Sequence, residues 1–236
     1  DVCSSDLEQG CEDPVFPLAV NFLDRFLCIQ DVHRNKLQLV GGVCLLIASK
    51  LRQCRSLTIS LICYFTDYSV DEESVKQWEA LVLAKLKWDV AGITGFDFVD
   101  HLLTRLPKPY QPHSQMIRRH ALTFLSLCLI EIDFMQVPPS VIGACVLSVA
   151  VRRLASTTLD KMAELMCPLI RTDPKSLSQY LRRIDLLVSE NLSSVQQQAL
   201  NIKPGSLPHT KHTTSTESQE AGNLQETPTD VQDIHL

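Results

Sequence analysis

Glycine is scarce in this 236-residue chain, eight residues in all, and aromatic residues make up only 6% of it. Long runs alternating β-branched and polar residues are absent, so helices are left as the main structural element. No charged-then-apolar leader opens the chain. The uncharged, largely apolar stretch at residues 137–151 falls short of the ~20 residues a membrane span needs and contains Pro138-Pro139 near its start. A soluble protein with no membrane association is expected. An excess of positive charge is missing too: the formal net charge is −5, whereas a nucleic-acid binder usually carries a basic stripe. Short basic clusters occur at Arg118-Arg119-His120, Arg152-Arg153 and Arg182-Arg183, and each reads as a solvated helix face.

Chemistry-bearing motifs are equally absent. None of the nine cysteines is spaced C-x-x-C, and the histidines supply no second ligand pair, so no metal site is expected. Cys44, Cys128 and Cys145 fall within apolar runs, where a reduced thiol acts as a small hydrophobe. No glycine-rich phosphate cradle, G-x-S-x-G, H-E-x-x-H or kinase signature occurs. His120 follows two arginines with no nucleophile nearby in sequence and reads as a partly exposed structural histidine. The residues therefore point to a non-catalytic protein with no cofactor.

What is present is helical periodicity, at 45% hydrophobic residues. Leu39, Gly42, Val43, Leu46, Ile47, Lys50 and Leu51 recur at helical spacing, as do Trp78, Leu81, Val82, Lys85 and Leu86. The pattern predicts helices at 15–28, 34–51, 58–65, 71–87, 95–106, 113–130, 139–154, 158–169 and 174–199. Asp71 ahead of Glu72 and Glu73, and Asp173 ahead of Pro174, are helix-start signals. Asp24-Arg25, a charged pair inside a strongly apolar helix, reads as part of a buried hydrogen-bond network. Gly42-Val43-Cys44-Leu45-Leu46 is echoed by Gly143-Ala144-Cys145-Val146-Leu147. The echo fits two tandem helical domains, each with a small-residue helix at its centre, although two unrelated buried helices could look alike. From Pro204 onward the chain has no aromatic residue and is rich in Thr, Ser, Gln and Glu, so a disordered tail is expected. Residues 1–7, DVCSSDL, match the translation of a common sequencing-library adapter and are read as an assembly artefact.

At this point a family resemblance emerges. Phe16-Pro17-Leu18-Ala19-Val20-Asn21-Phe22-Leu23-Asp24-Arg25-Phe26-Leu27 resembles the second helix of a first cyclin box. Lys36-Leu37-Gln38-Leu39-Val40-Gly41, running to Ala48-Ser49-Lys50-Leu51, resembles its third. Tyr64-Phe65-Thr66-Asp67 resembles its fourth, and the segment from Trp78 to Lys85-Leu86-Lys87-Trp88-Asp89 its fifth, with an ending similar to D-type cyclins in particular. Pro138-Pro139-Ser140 is similar to the start of the third helix of their second box. Thr227-Pro228-Thr229-Asp230-Val231 with Ile234-His235-Leu236 resembles the third D-type paralogue.

The resemblance implies an all-α fold of two tandem five-helix cyclin boxes followed by a disordered regulatory tail. The expected divisions are 8–90 for the first box, 91–200 for the second and 201–236 for the tail. The first box would lack its first helix. It implies a regulatory subunit that binds and activates a cyclin-dependent kinase of type four or six. Entry into DNA synthesis would follow through phosphorylation of the retinoblastoma protein. Kinase contact falls to Lys50 and Glu79, with Ile47, Leu51, Leu83 and Trp88 as the apolar surround. Leu37 and Gln38 are the remaining part of a substrate-docking patch. Thr227 is the expected phosphorylation site that marks the protein for a ubiquitin ligase. Kinase-inhibitor proteins and retinoblastoma-family substrates are further expected partners, and the nucleus and cytoplasm the expected locations. Gln53 stands where the family usually has glutamate, Ser56 where proline is common, and Ser60-Leu61 where an acidic–basic pair is usual. A competing reading is a cyclin-box scaffold that binds transcription machinery or nucleic acid without activating a kinase, since the fold alone does not decide.

Overall fold

The computed structural model describes residues 12–155 and 157–201, with side chains through residue 194. Residues 1–7 and Thr227, with the tail that carries it, lie outside the described residues. Nine α-helices and no strand occur among those described: α1 Val15–Ile29, α2 Leu37–Arg52, α3 Ile59–Phe65, α4 Glu72–Lys85, α5 Gly95–Leu103, α6 Ser114–Leu129, α7 Pro139–Ala155, α8 Leu159–Ile170 and α9 Pro174–Asn201. Several of their starts are set by polar side chains that take up orphan backbone donors. Thr58 accepts from Leu61 N–H at 3.2 Å, Asp71 from Ser74 N–H at 2.8 Å, and Asp173 from Ser176 N–H at 3.0 Å.

Two separate apolar cores form. The first joins α1–α4 around α2, with Phe22, Phe26, Val40, Val43 and Leu46 fully buried. The second joins α5–α9 around α7, in which every residue from Val141 to Val151 is buried. Burying one such large side chain contributes about 1.5–3 kcal/mol, so α2 and α7 anchor their bundles. The echoed glycines work by close approach. A Cβ on Gly143 would lie 2.7 Å from Phe98 Cβ and 2.8 Å from the Gly95 carbonyl oxygen, and one on Gly42 would lie 2.9 Å from Ile62 Cγ2.

Several expectations are corrected. The segment 34–51 divides into a 3-10 turn, Arg34–Lys36, and α2. The helix expected at 71–87 stops at Lys85. Lys87 and Trp88 both take left-handed backbone conformations, with φ of 55° and 57°. These conformations cost free energy in residues with a Cβ, and buried Leu86 and a Trp88 N–H bond to the Leu83 carbonyl (2.9 Å) hold them. Asp24-Arg25 is not a buried network. Arg25 reaches outward to Asp89 at 2.8 Å, and that carboxylate is 70% exposed. Asp24 faces the cleft between the bundles, where burial raises its pKa above the usual carboxylate value. Nor are the arginine clusters simply solvated. Arg118 clasps Asp100 and Asp13, Arg152 and Arg153 share Asp185, and Arg183 pairs with Asp133.

Candidate functional site

Lys50 and Glu79 come from different helices and meet. Lys50 stands in the last turn of α2, and its Nζ lies 2.5 Å from Glu79 Oε1 in the middle of α4. The lysine side chain is 43% exposed and the glutamate 18%. An ion pair so open to water contributes at most about 1 kcal/mol to stability. An ammonium has three donors, so those not used by Glu79 remain available at the surface. The pairing fixes where they point.

The expected apolar surround divides into three kinds. Leu51 and Trp88 are exposed, at 47% and 70%. Leu83, one turn after Glu79 on α4, is half-buried. Ile47 is buried in the first core at 3% exposure and supports the surface from beneath instead of facing outward. Its periodicity marks a core position as readily as a contact, and the core claims it. Trp88 reaches solvent because α4 ends early: the two left-handed residues turn its ring off the helix axis.

The end of α2 is tied down locally. Buried Ser49 donates to Gln53 Oε1 at 2.8 Å and accepts from Leu57 N–H at 2.6 Å. Gln53 therefore has a defined role as an acceptor where the family usually has glutamate. Ser60 donates to Glu72 at 2.7 Å, and Ser56 is exposed.

Leu37 and Gln38 occupy the opposite end of α2, about 20 Å from Lys50 at the helical rise. Leu37 is 41% exposed. Gln38 accepts from Ser69 Oγ at 3.0 Å. Beside Ser69 stand three exposed aromatic residues that sequence reasoning did not assign to a surface. Tyr64 lies 5.9 Å from Phe65 and 6.4 Å from Tyr68, ring centroid to centroid. Tyr68 is 73% exposed. The signal was available: two aromatics end the short helix α3, and a third follows within a turn.

No group of His, Cys, Asp and Glu residues among those described could hold a metal ion. No described helix is long and apolar enough to cross a membrane. His120 is half-buried, with its pKa lowered by burial and by Arg119.

Comparison with known proteins bears directly on this arrangement. A family model described as "Cyclin, N-terminal domain" matches residues 6–91, and one described as "Cyclin, C-terminal domain" matches residues 93–218. G1/S-specific cyclin-D1 of Danio rerio is 37% identical, over 97% of this chain and 76% of that protein. This chain belongs to the D-type cyclin family. G1/S-specific cyclin-D3 of Homo sapiens is 38% identical with the same coverage, and G1/S-specific cyclin-D2 of Mus musculus 36% identical over 97% and 77%. These three identities lie within two points of one another, so they assign the D-type family without separating its paralogues. Among solved structures, a viral cyclin from herpesvirus saimiri superposes with a TM-score of 0.68 at 25% identity, covering 76% of this D-type cyclin and 77% of the viral chain.

Proposed function

We propose that this D-type cyclin switches on a cyclin-dependent kinase of type four or six and so promotes entry into DNA synthesis through phosphorylation of retinoblastoma-family proteins. At the coarser level, the chain is a cyclin of the kinase-regulating kind, and the kinase supplies the catalysis. The observation that carries the finer reading is the Lys50–Glu79 pair, which joins the end of α2 to the middle of α4 at an exposed position. A kinase becomes active when its mobile helix swings inward and completes a lysine–glutamate ion pair at the nucleotide phosphates. A partner that binds the inward state preferentially shifts the population toward it.

In this mechanism Lys50 donates to backbone carbonyls of the kinase, and Glu79 holds the ammonium in place while it does so. Leu51, Leu83 and Trp88 cover the apolar side of the incoming helix, with Ile47 packed beneath. Little rearrangement is needed on the cyclin side, because the pair already exists in the free chain. Leu37 and Gln38 supply a docking position for substrates and kinase-inhibitor proteins at the far end of α2. Phosphorylation of Thr227 adds roughly −2 charge and marks the protein for a ubiquitin ligase. The nucleus and cytoplasm are the compartments where these partners act. Arg118, Arg152, Arg153 and Arg183 are each engaged by carboxylates, which weakens the competing nucleic-acid reading.

The test is reconstitution. Purified chain is added to a type-four cyclin-dependent kinase with a retinoblastoma-protein fragment and ATP. Phosphate incorporation that rises with cyclin concentration and saturates supports the reading. A kinase that stays at its basal rate at every concentration sinks it.

A further inference from the structure

The kinase-facing turn of α2 is braced from the second bundle. Arg52, two residues after Lys50, sends Nη1 to Asp97 Oδ1 at 3.2 Å and donates from Nη2 to the Gly92 carbonyl at 3.3 Å. Asp97 sits in the first turn of α5, and its other oxygen, Oδ2, accepts from Thr94 N–H at 2.8 Å. One carboxylate thus closes the start of the second bundle and grips the end of the first bundle's central helix. Gly92 and Thr94 belong to the short connection between the bundles, so all three anchor points lie at the junction. Both charged side chains are about one-third exposed or less, at 33% and 28%, and a pair at that depth is less screened than a surface pair.

We infer that Arg52 and Asp97 are positioning residues for kinase activation: they hold the Lys50-bearing turn in register with the second bundle, so that α5 helps shape a surface to which it contributes no contact. This rests on the reading of Lys50 as a kinase contact. The geometry favours a brace over a simple cap. The Asp97 cap needs only one oxygen, and Ser49, Gln53 and Leu57 already satisfy the inner side of the α2 end. What Arg52 adds is a link of two acceptors across the junction. Direct contact between Arg52 and the kinase is the competing explanation, and Asp97 separates the two. A direct contact needs Arg52 alone, whereas a brace needs both ends.

The experiment is a double-mutant cycle on the full chain. Arg52→Gln, Asp97→Asn and the double variant are titrated against a type-four cyclin-dependent kinase. Affinity is read by calorimetry, and kcat and KM for a peptide substrate are read at saturating cyclin. Asp97→Asn keeps an oxygen for the Thr94 N–H, so the α5 cap survives. Arg52→Lys, which retains the charge but reaches only one acceptor, serves as the conservative variant. The brace predicts that each single variant weakens kinase affinity about three- to tenfold, as coupled neighbours do. The double variant is then no worse than either single, KM for the peptide is unchanged, and Arg52→Lys recovers part of the loss. Wild-type affinity in Asp97→Asn, or additive losses in the double variant, overturns it. Lys50→Glu run alongside tests the underlying reading separately: loss of kinase there with full affinity in both brace variants leaves the kinase reading intact and removes the brace.

Discussion

Replacing Gly143 by alanine adds one methyl group where α5 and α7 cross, and nothing there can yield cheaply. The new carbon would meet Phe98 Cβ at 2.7 Å and the backbone oxygen of Gly95 at 2.8 Å. Neither is the free end of a flexible side chain, so the two helices must separate. Overpacking of this kind costs about 1–3 kcal/mol, while alanine regains about 1 kcal/mol of helix propensity over glycine. The expected net loss is up to about 2 kcal/mol, a fall in Tm of up to roughly 8 °C for a chain this size. Gly42→Ala is the internal control. Its methyl group meets a single atom, Ile62 Cγ2, at 2.9 Å, and Ile62 belongs to the seven-residue α3, a short helix that can shift by tenths of an ångström. Strain and propensity then nearly cancel, within about 0.5 kcal/mol. Urea unfolding of both variants decides the matter. A Gly42→Ala loss equal to or larger than that of Gly143→Ala would refute the claim that backbone proximity at α5–α7 sets the requirement for glycine.

Three further outcomes follow from the same geometry. Asp185 is shared by Arg152 and Arg153, whose Nε atoms have no partner among the described residues, so Asp185→Ala takes the paired carboxylate from two half-buried guanidinium groups and leaves Arg153 only the Ser189 hydroxyl and the residue-185 carbonyl. It should cost about 1–3 kcal/mol in urea unfolding, below the fully buried case because all three side chains retain some exposure. Burial pushes the Cys44 and Cys128 thiols up to about 12, so native alkylation at pH 8 should label exposed Cys28 and Cys54 while Cys44 and Cys128 react only after denaturation, as peptide mapping will read. His120 is held below its ordinary value of 6.5 by burial and then by Arg119. Its unfolded form takes up a proton first, so the stability it contributes is full above that value and is lost as pH falls toward the folded pKa. His120→Gln should flatten the urea midpoint between pH 7.5 and pH 5.

Much of the fold was legible because helical period and burial coincide. In α7 the small-residue echo Gly143-Ala144-Cys145-Val146-Leu147 pointed to a helix at the centre of its bundle, and Asp71 and Asp173 announced starts that the structure repeats as side-chain caps. The end of α4 was not legible. Nothing in Lys85-Leu86-Lys87-Trp88 breaks a helix by propensity, and the stop depends on tertiary anchors, with Leu86 in the core and Asp89 held by Arg25. The same limit hid Arg52–Asp97 and Arg153–Asp185, whose partners lie 45 and 32 residues apart. Periodicity identifies a face and carries no information on what meets it. Ile47 shows the converse: the family resemblance placed it in the apolar surround of Lys50, and only packing shows that the core takes it.

Under the proposed function, the Lys50–Glu79 pair forms the contact that recruits a cyclin-dependent kinase. The most direct measurement is the calorimetric affinity of the chain for a type-four kinase, wild type against Lys50→Glu and Glu79→Ala, with circular dichroism confirming that all three fold. The expected outcome is no measurable binding for Lys50→Glu, about tenfold or greater weakening for Glu79→Ala, and unchanged helical signal. Wild-type affinity in a folded Lys50→Glu variant would contradict it, and would move the kinase-binding surface away from the junction of α2 and α4.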